Sequence, residues 1–223
     1  MIRDIIIAID GHSGCGKSTT SKLVAEHFNY KYLDSGAMYR AITLYLLRNK
    51  ISYDNEDAIS NNLSNIIITF KYVDGNQNTF LNNENVEKEI RGDKISNNVS
   101  KYSSISIIRE HLVSIQKEMG KRKKIVIEGR DITTVVFPDA EIKIFMTADI
   151  EVRAKRRFED MKNNNPEVTY SDVLENLSER DSKDSNRKDS PLRVADEAIV
   201  IDTSDLEINE QTHKIIDIIK NKF

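Results

Sequence analysis

A single cysteine in 223 residues, Cys15, excludes an intrachain disulfide and a cysteine-rich metal site. No apolar run approaches the ~18 to 20 residues of a membrane span. The run at residues 5–9 is stopped by Asp10 and has no small-residue cleavage site behind it, unlike a signal peptide. The sequence therefore predicts a cytoplasmic protein with no membrane partner. Strong charge of one sign is also missing. A formal net charge of −3 leaves no basic domain, which argues against a general nucleic-acid binder. No internal repeat is visible, and His12, His27, His111 and His213 show neither metal-ligand spacing nor a paired carboxylate. With 31% charged and 39% apolar residues, the chain reads as globular, long enough for one core with a sizeable insertion.

The strongest positive signal is Gly11-His12-Ser13-Gly14-Cys15-Gly16-Lys17-Ser18, directly behind the apolar run and ahead of a helical pattern. This is G-x-x-x-x-G-K-[ST] in the strand-loop-helix context that a phosphate-binding loop requires. Glycines let successive N–H groups point into one concavity, and the following helix adds the positive end of its dipole. Residues 11–19, through Thr19, are thus expected to hold a nucleoside triphosphate. Lys17 can reach the β- and γ-phosphates, and the Ser18 hydroxyl is placed to ligate Mg²⁺. Cys15 reads as a small side chain fitted to a crowded loop. At a helix N-terminus it is expected to be alkylated in the free protein and shielded by ATP.

Apolar runs at residues 5–9, 32–33, 125–127, 142–145 and 198–201 read as buried parallel strands separated by helical patterns. They predict an α/β fold, a doubly wound five-stranded parallel sheet with ligands at the carboxyl ends of its strands. Residues 66–86 break the rhythm: β-branched and aromatic residues interrupted by Asp74-Gly75-Asn76 predict a small antiparallel meander. The expected organisation is a core of residues 1–50, 101–150 and 190–223, an insertion at 51–100 and a helical segment at 151–189. In that segment a first helix over 151–161 is broken at Asn163-Asn164-Asn165-Pro166, and a second starts near Ser171 as N-cap. Arg180, Lys183, Asp184 and Arg187 share one face of the second helix. Two readings stand for that face: a solvated helix laced with ion pairs, and a mobile lid bringing guanidinium groups over phosphates.

Three further segments carry a resemblance: Asp34-Ser35-Gly36-Ala37-Met38-Tyr39-Arg40; residues 128–140, with Glu128-Gly129-Arg130-Asp131 at their head; and Glu179-Arg180-Asp181 through Asn186-Arg187 and Pro191-Leu192. Together with the loop, in this order and over nearly the full length, the chain resembles the bacterial cytidylate kinases. The resemblance implies transfer of a phosphoryl group from ATP to CMP or dCMP with Mg²⁺, by a P-loop kinase whose insertion binds the nucleoside monophosphate. It implies that Arg40, Arg130 and Arg187 hold the acceptor phosphate, because a planar fork binds phosphate oxygens bidentately. Ser35, Ser100, Arg109 and Asp131 would read cytosine, whose amino group and ring acceptors call for a carboxylate beside hydroxyl and guanidinium donors. Asp184 would hold ribose hydroxyls. Arg157 and Arg180, with Lys17, would face the transferring group. The family also implies a monomer.

Departures from the family pattern fall at His12, usually proline, at Thr133, usually glycine, and at Lys183 and Ser185, often arginine. A required positive φ at Thr133 would strain the turn. Glu128 or Asp10 could support Mg²⁺. Another P-loop kinase, acting on a different nucleoside monophosphate or a sugar acid, remains open. A more distant alternative is a GTP-hydrolysing switch, with Asn186-Arg187-Lys188-Asp189 as an imperfect N-K-x-D guanine reader.

Overall fold

The computed structural model describes residues 4–162 and 167–223, so the expected break at residues 163–166 lies outside the described residues. The chain divides into two compact units, Met1–Leu33 with Met119–Phe223, and Asp34–Glu118. The first opens with β1 (Ile6–Gly11), α1 (Lys17–Phe28) and β2 (Lys31–Asp34). The second holds α2 (Ser35–Arg48), α3 (Glu56–Leu63), β3 (Ile68–Val73), β4 (Asn76–Leu81), β5 (Glu84–Asn85), α4 (Glu87–Ile90), α5 (Asp93–Tyr102) and α6 (Ser106–Gly120). The chain returns to the first unit with β6 (Ile125–Gly129), a π-helical turn over Ile132–Val136, β7 (Ile142–Thr147), α7 (Ile150–Lys162), α8 (Tyr170–Asn186), β8 (Ile199–Asp202) and α9 (Ile208–Lys222).

All five strands expected from the apolar runs form one sheet, in the order β2-β6-β1-β7-β8. The central strand β1 pairs in parallel with β6 on one side and β7 on the other, with Asp10 opposite Gly129 and Gly11 opposite Met146. Every residue of β1 is buried, because helices cover both faces of a parallel sheet. Ile5, Ile7 and Ile9 share a core cluster with Val24 of α1, Ile142 and Ile144 of β7, and Ile215 and Ile219 of α9. Strand order reverses at β1, so the crevice where α/β sheets bind ligands opens at its carboxyl end, where the glycine-rich loop begins. Gly11 is required there: a Cβ at its φ of +148° would lie 1.9 Å from the Met146 carbonyl oxygen.

In the second unit β3, β4 and β5 form the expected antiparallel meander, with Ile68 opposite Leu81 and Phe80 opposite Asn85. Helix α2 buries Met38, Ile42 and Leu46 on its apolar stripe. Its N-cap is Asp34, whose carboxylate accepts from Ala37 N at 2.9 Å, so Ser35 is the first helical residue and does not cap.

Helices α7 and α8 pack through Ala154, Val173 and Leu177, flanked by Phe158, Met161 and Leu174. The start of α8 corrects the sequence expectation. Its N-cap is Thr169, not Ser171, because the Thr169 hydroxyl accepts from Asp172 N at 3.2 Å while the Asp172 carboxylate accepts from Thr169 in return. This reciprocal capping box outcompetes a lone serine placed two residues later.

Candidate active site

Residues 11–16 link β1 to α1 with Gly14 at φ +80° and Gly16 at φ +88°. Gly16 occupies the N-cap of α1 and, having no side chain, caps none of the first-turn donors at the positive end of the helix. Neighbouring elements hold the loop's shape. Thr203 Oγ1 donates to the Cys15 carbonyl at 3.0 Å, and Thr20 Oγ1 to Gln211 Oε1 at 3.2 Å. Lys17 is buried, with Nζ 2.6 Å from the His12 carbonyl oxygen and 3.7 Å from Cys15 Sγ. Burial lowers its pKa below the ordinary lysine value. Ser18 and Thr19 are exposed on the first turn.

Cys15 is placed unlike a reactive thiol. The side chain is fully buried and its thiol donates to the carbonyl oxygens of His12 at 3.1 Å and Met146 at 3.4 Å, which works against the expected alkylation and agrees with a small side chain fitted to a crowded loop. It is a core residue inside the glycine-rich loop.

Behind the loop, Asp10 is tied to the turn after β6. Its Oδ1 accepts from Ile132 N at 2.9 Å, and its Oδ2 from Thr133 N at 2.7 Å and Thr133 Oγ1 at 2.6 Å. Burial nevertheless raises its pKa to about 6, against the pull of the Thr133 and Ile132 donors. Thr133 has no positive φ, so the departure from glycine carries no backbone strain and supplies a hydroxyl. Glu128, at the end of β6, is buried and accepts from Tyr32 Oη.

Arginines and aspartates gather beside the same strand ends. Arg130 Nε donates to Asp184 Oδ2 at 2.9 Å, and Arg187 Nη1 lies 3.8 Å from Asp184 Oδ1. Burial alone would raise the Asp184 pKa, but Arg130 and then Arg187 hold it below the usual carboxylate range. Arg180 is buried on α8, whereas Lys183 is exposed and pairs with Glu179 at 2.9 Å. The face predicted from helical spacing is therefore divided, with Arg180 and Asp184 turned inward and Lys183 solvated. Within helix α7, the cations Arg153, Lys155, Arg156 and Arg157 each have their own surroundings. Arg153 is buried against the loop, Arg156 Nη2 donates to the carbonyls of Thr203 at 2.8 Å and Leu206 at 3.2 Å, Lys155 is exposed and Arg157 half-buried. Asn186 belongs to α8, its amide donating to the Ser182 carbonyl at 2.9 Å, so it does not follow a strand as a guanine reader would.

In the second unit Arg40 Nη1 donates to Ser96 Oγ at 3.3 Å, and Arg91 Nη2 to Asp34 Oδ2 at 2.8 Å, bracing the start of α2 beside Ser35. Arg109 is 3% exposed, which excludes the surface role common for an arginine on an amphipathic helix. Its Nη1 donates to the Ser103 carbonyl at 2.9 Å, and its guanidinium lies 5.4 Å from the Tyr39 ring centroid. Ser100 is half-buried on α5. Sequence reasoning assigned nothing to Arg153, Asp181 or Arg91. The first two lie in the helical segment over residues 151–189, at four residues from Arg157 and three from Asp184, and that spacing was the available signal.

A five-stranded sheet reversing at β1, with a glycine-rich loop and a buried lysine at the switch point, defines a P-loop nucleotide-binding fold. A shikimate kinase from Bacteroides thetaiotaomicron has the same fold at a TM-score of 0.51, with 12% identity over 98% of this chain and 99% of that one. The cytidylate kinase family model matches residues 7–221. The cytidylate kinase of Flavobacterium psychrophilum is 49% identical over 99% of this chain and 100% of the relative, and that of Fusobacterium nucleatum is 47% identical over 93% of each. The chain belongs to the cytidylate kinase family and is a nucleoside monophosphate kinase.

Proposed function

We infer that this protein transfers the γ-phosphoryl group of ATP to CMP, giving ADP and CDP. The observation that carries the reading is the family match across residues 7–221, which includes an intact phosphate loop with Lys17 buried at its end. Residues 11–19 cradle the ATP phosphates through backbone donors, and Lys17 leaves the His12 carbonyl to pair with the transferring group. Arg157 and Arg180 add charge from α7 and α8. For CMP, the residues that match the family's acceptor motifs are Arg130, Asp131, Asp184 and Arg187, with Ser35, Arg40, Ser100 and Arg109. Arg40, Arg130 and Arg187 take the phosphate, Asp184 the ribose, and Ser35, Ser100, Arg109 and Asp131 the base. dCMP is the second acceptor.

Mg²⁺ fits this site. Ser18 is exposed on the first turn of α1 and would hold the ion, and Glu128 is the supporting carboxylate, since three donors already engage Asp10. The ion supplies neutralisation of charge on the transferring phosphoryl group. Transfer is direct and in line: the acceptor is an anionic phosphate oxygen that needs little general base, consistent with the absence of a paired histidine and carboxylate among the sequence motifs. The protein works as a cytoplasmic monomer.

A thermal-shift ranking of CMP, UMP, AMP and dTMP with a non-hydrolysable ATP analogue tests the acceptor. CMP is expected to give the largest shift, and equal shifts for all four would overturn the assignment.

A further inference from the structure

Helix α8 carries two carboxylates three residues apart, and each meets an arginine rooted elsewhere in the first unit. Asp184 meets Arg130 at 2.9 Å, and Asp181 Oδ2 meets Arg153 Nη1 at 2.7 Å. Positions i and i+3 lie on one helical face, so the two pairs fix both the rotation and the height of that face. They differ in what substrate does to them. Arg130 and Asp184 are both proposed to bind CMP, through its phosphate and its ribose, so their mutual pair must open when the acceptor arrives. Neither Arg153 nor Asp181 has a substrate role.

Arg153 is the more firmly held partner. Its side chain is 6% exposed. Besides Asp181, its Nε donates to the Ala148 carbonyl at 2.9 Å and its Nη1 to the Ser13 carbonyl, inside the phosphate loop, at 3.2 Å. The α7 backbone closes on the same spot: a Cβ on Gly14 would lie 3.2 Å from Arg153 Cβ and 3.3 Å from its carbonyl oxygen. One guanidinium thus joins the β7–α7 connection, the phosphate loop and α8. Three differently directed acceptors need a planar fork, which a lysine ammonium cannot supply.

We propose that Arg153 and Asp181 are positioning residues: the pair latches α8 to the phosphate loop and keeps Arg180 in register with the ATP phosphates while the Arg130–Asp184 pair opens for CMP. Asp181 adjoins Arg180 in sequence, so a slip at the latch displaces the arginine directly. A displacement of about 1 Å at a positioned group costs up to about a hundredfold in rate. The latch touches neither substrate and Arg180 adjoins it directly, whereas Asp184 lies three residues further along and is held by Arg130 and Arg187 as well. The loss therefore falls mainly on kcat, and ground-state binding of CMP changes little. This rests on the reading that α8 supplies a catalytic arginine.

The test compares steady-state kinetics of Asp181→Asn, Arg153→Lys, their double variant and Arg180→Ala in the full chain, with melting temperatures as a check on folding. Asp181→Asn and Arg153→Lys are each expected to lower kcat ten- to hundredfold with KM for CMP within threefold of the parent. The double variant is expected to be no slower than the worse single, because both break one coupled interaction. If Asp181→Asn does not accumulate as folded protein, Arg153→Lys reads the same split, since it keeps the charge and loses only the fork. Turnover within twofold of the parent in the folded single variants, or KM for CMP rising as steeply as kcat falls, overturns the latch. Arg180→Ala keeps the two readings apart: full turnover in that variant removes the catalytic arginine, whereas its loss beside an unaffected Asp181→Asn removes only the latch.

Discussion

Asp10 shows burial raising the pKa of a carboxyl against the pull of a hydroxyl, that of Thr133, 123 residues away. The folded pKa of Asp10 is raised from 3.8 to about 6. The stability this shift contributes is fully present below the unfolded value and is lost as pH rises through about 6, about 3 kcal/mol in all. The Thr133 hydroxyl works the other way, favouring the carboxylate, so its contribution is present above about pH 6 and fades on acidification. Thr133→Val is therefore expected to cost about 2 kcal/mol at pH 8, the usual worth of a hydrogen bond to a charged group, and less than half that at pH 5. Urea unfolding at the two pH values checks this, and an equal loss at both would contradict it. At the phosphate loop, Lys17→Ala is expected to lower kcat by about 10²- to 10³-fold, the cost of one transition-state donor, with CMP affinity little changed. Single-turnover kinetics beside CMP titrations separate the two. Asp131→Ala is expected to reduce the preference for CMP over UMP about tenfold or more while ATP binding holds, read from kcat/KM for each acceptor. The turn of the glycine-rich loop between β1 and α1 was legible because its motif is contiguous. The Asp10–Thr133 tie was not, because nothing local pairs two residues so far apart, and the buried thiol of Cys15 was misread because loop motifs do not say which side chains point inward.

Elements were legible in proportion to how far one stretch of chain decides them. Strands β1, β6 and β7 are flanked by strands in the sheet and read directly as apolar runs. Edge strand β8 was found from its run as well, although Ile199 and Val200 remain exposed. The start of α8 was misplaced by two residues, since serine, threonine and aspartate all suit an N-cap and only reciprocal hydrogen bonding selects Thr169. Thr169→Ala is expected to destabilise α8 by about 1 kcal/mol, seen as faster amide exchange over its first turn, with the exchange of β1 unchanged. Loss of protection in both elements alike would mean that α8 and the sheet open together. The inward face of α8 was only half legible, because helical spacing aligns Arg180, Lys183 and Asp184 without saying that Lys183 pairs with Glu179 in solvent.

Over the whole molecule, sheet, loop, meander and helical pair all agree with one assignment, and the family match extends it across residues 7–221. The identity of the acceptor is the central point, since the loop alone fixes only the donor. A coupled ADP-release assay with ATP and CMP, dCMP, UMP, AMP or dTMP measures donor and acceptor together. CMP is predicted to give the highest kcat/KM, with dCMP next and UMP, AMP and dTMP well below. ADP release at the same rate without any acceptor, or a higher kcat/KM with UMP, AMP or dTMP than with CMP, would contradict it.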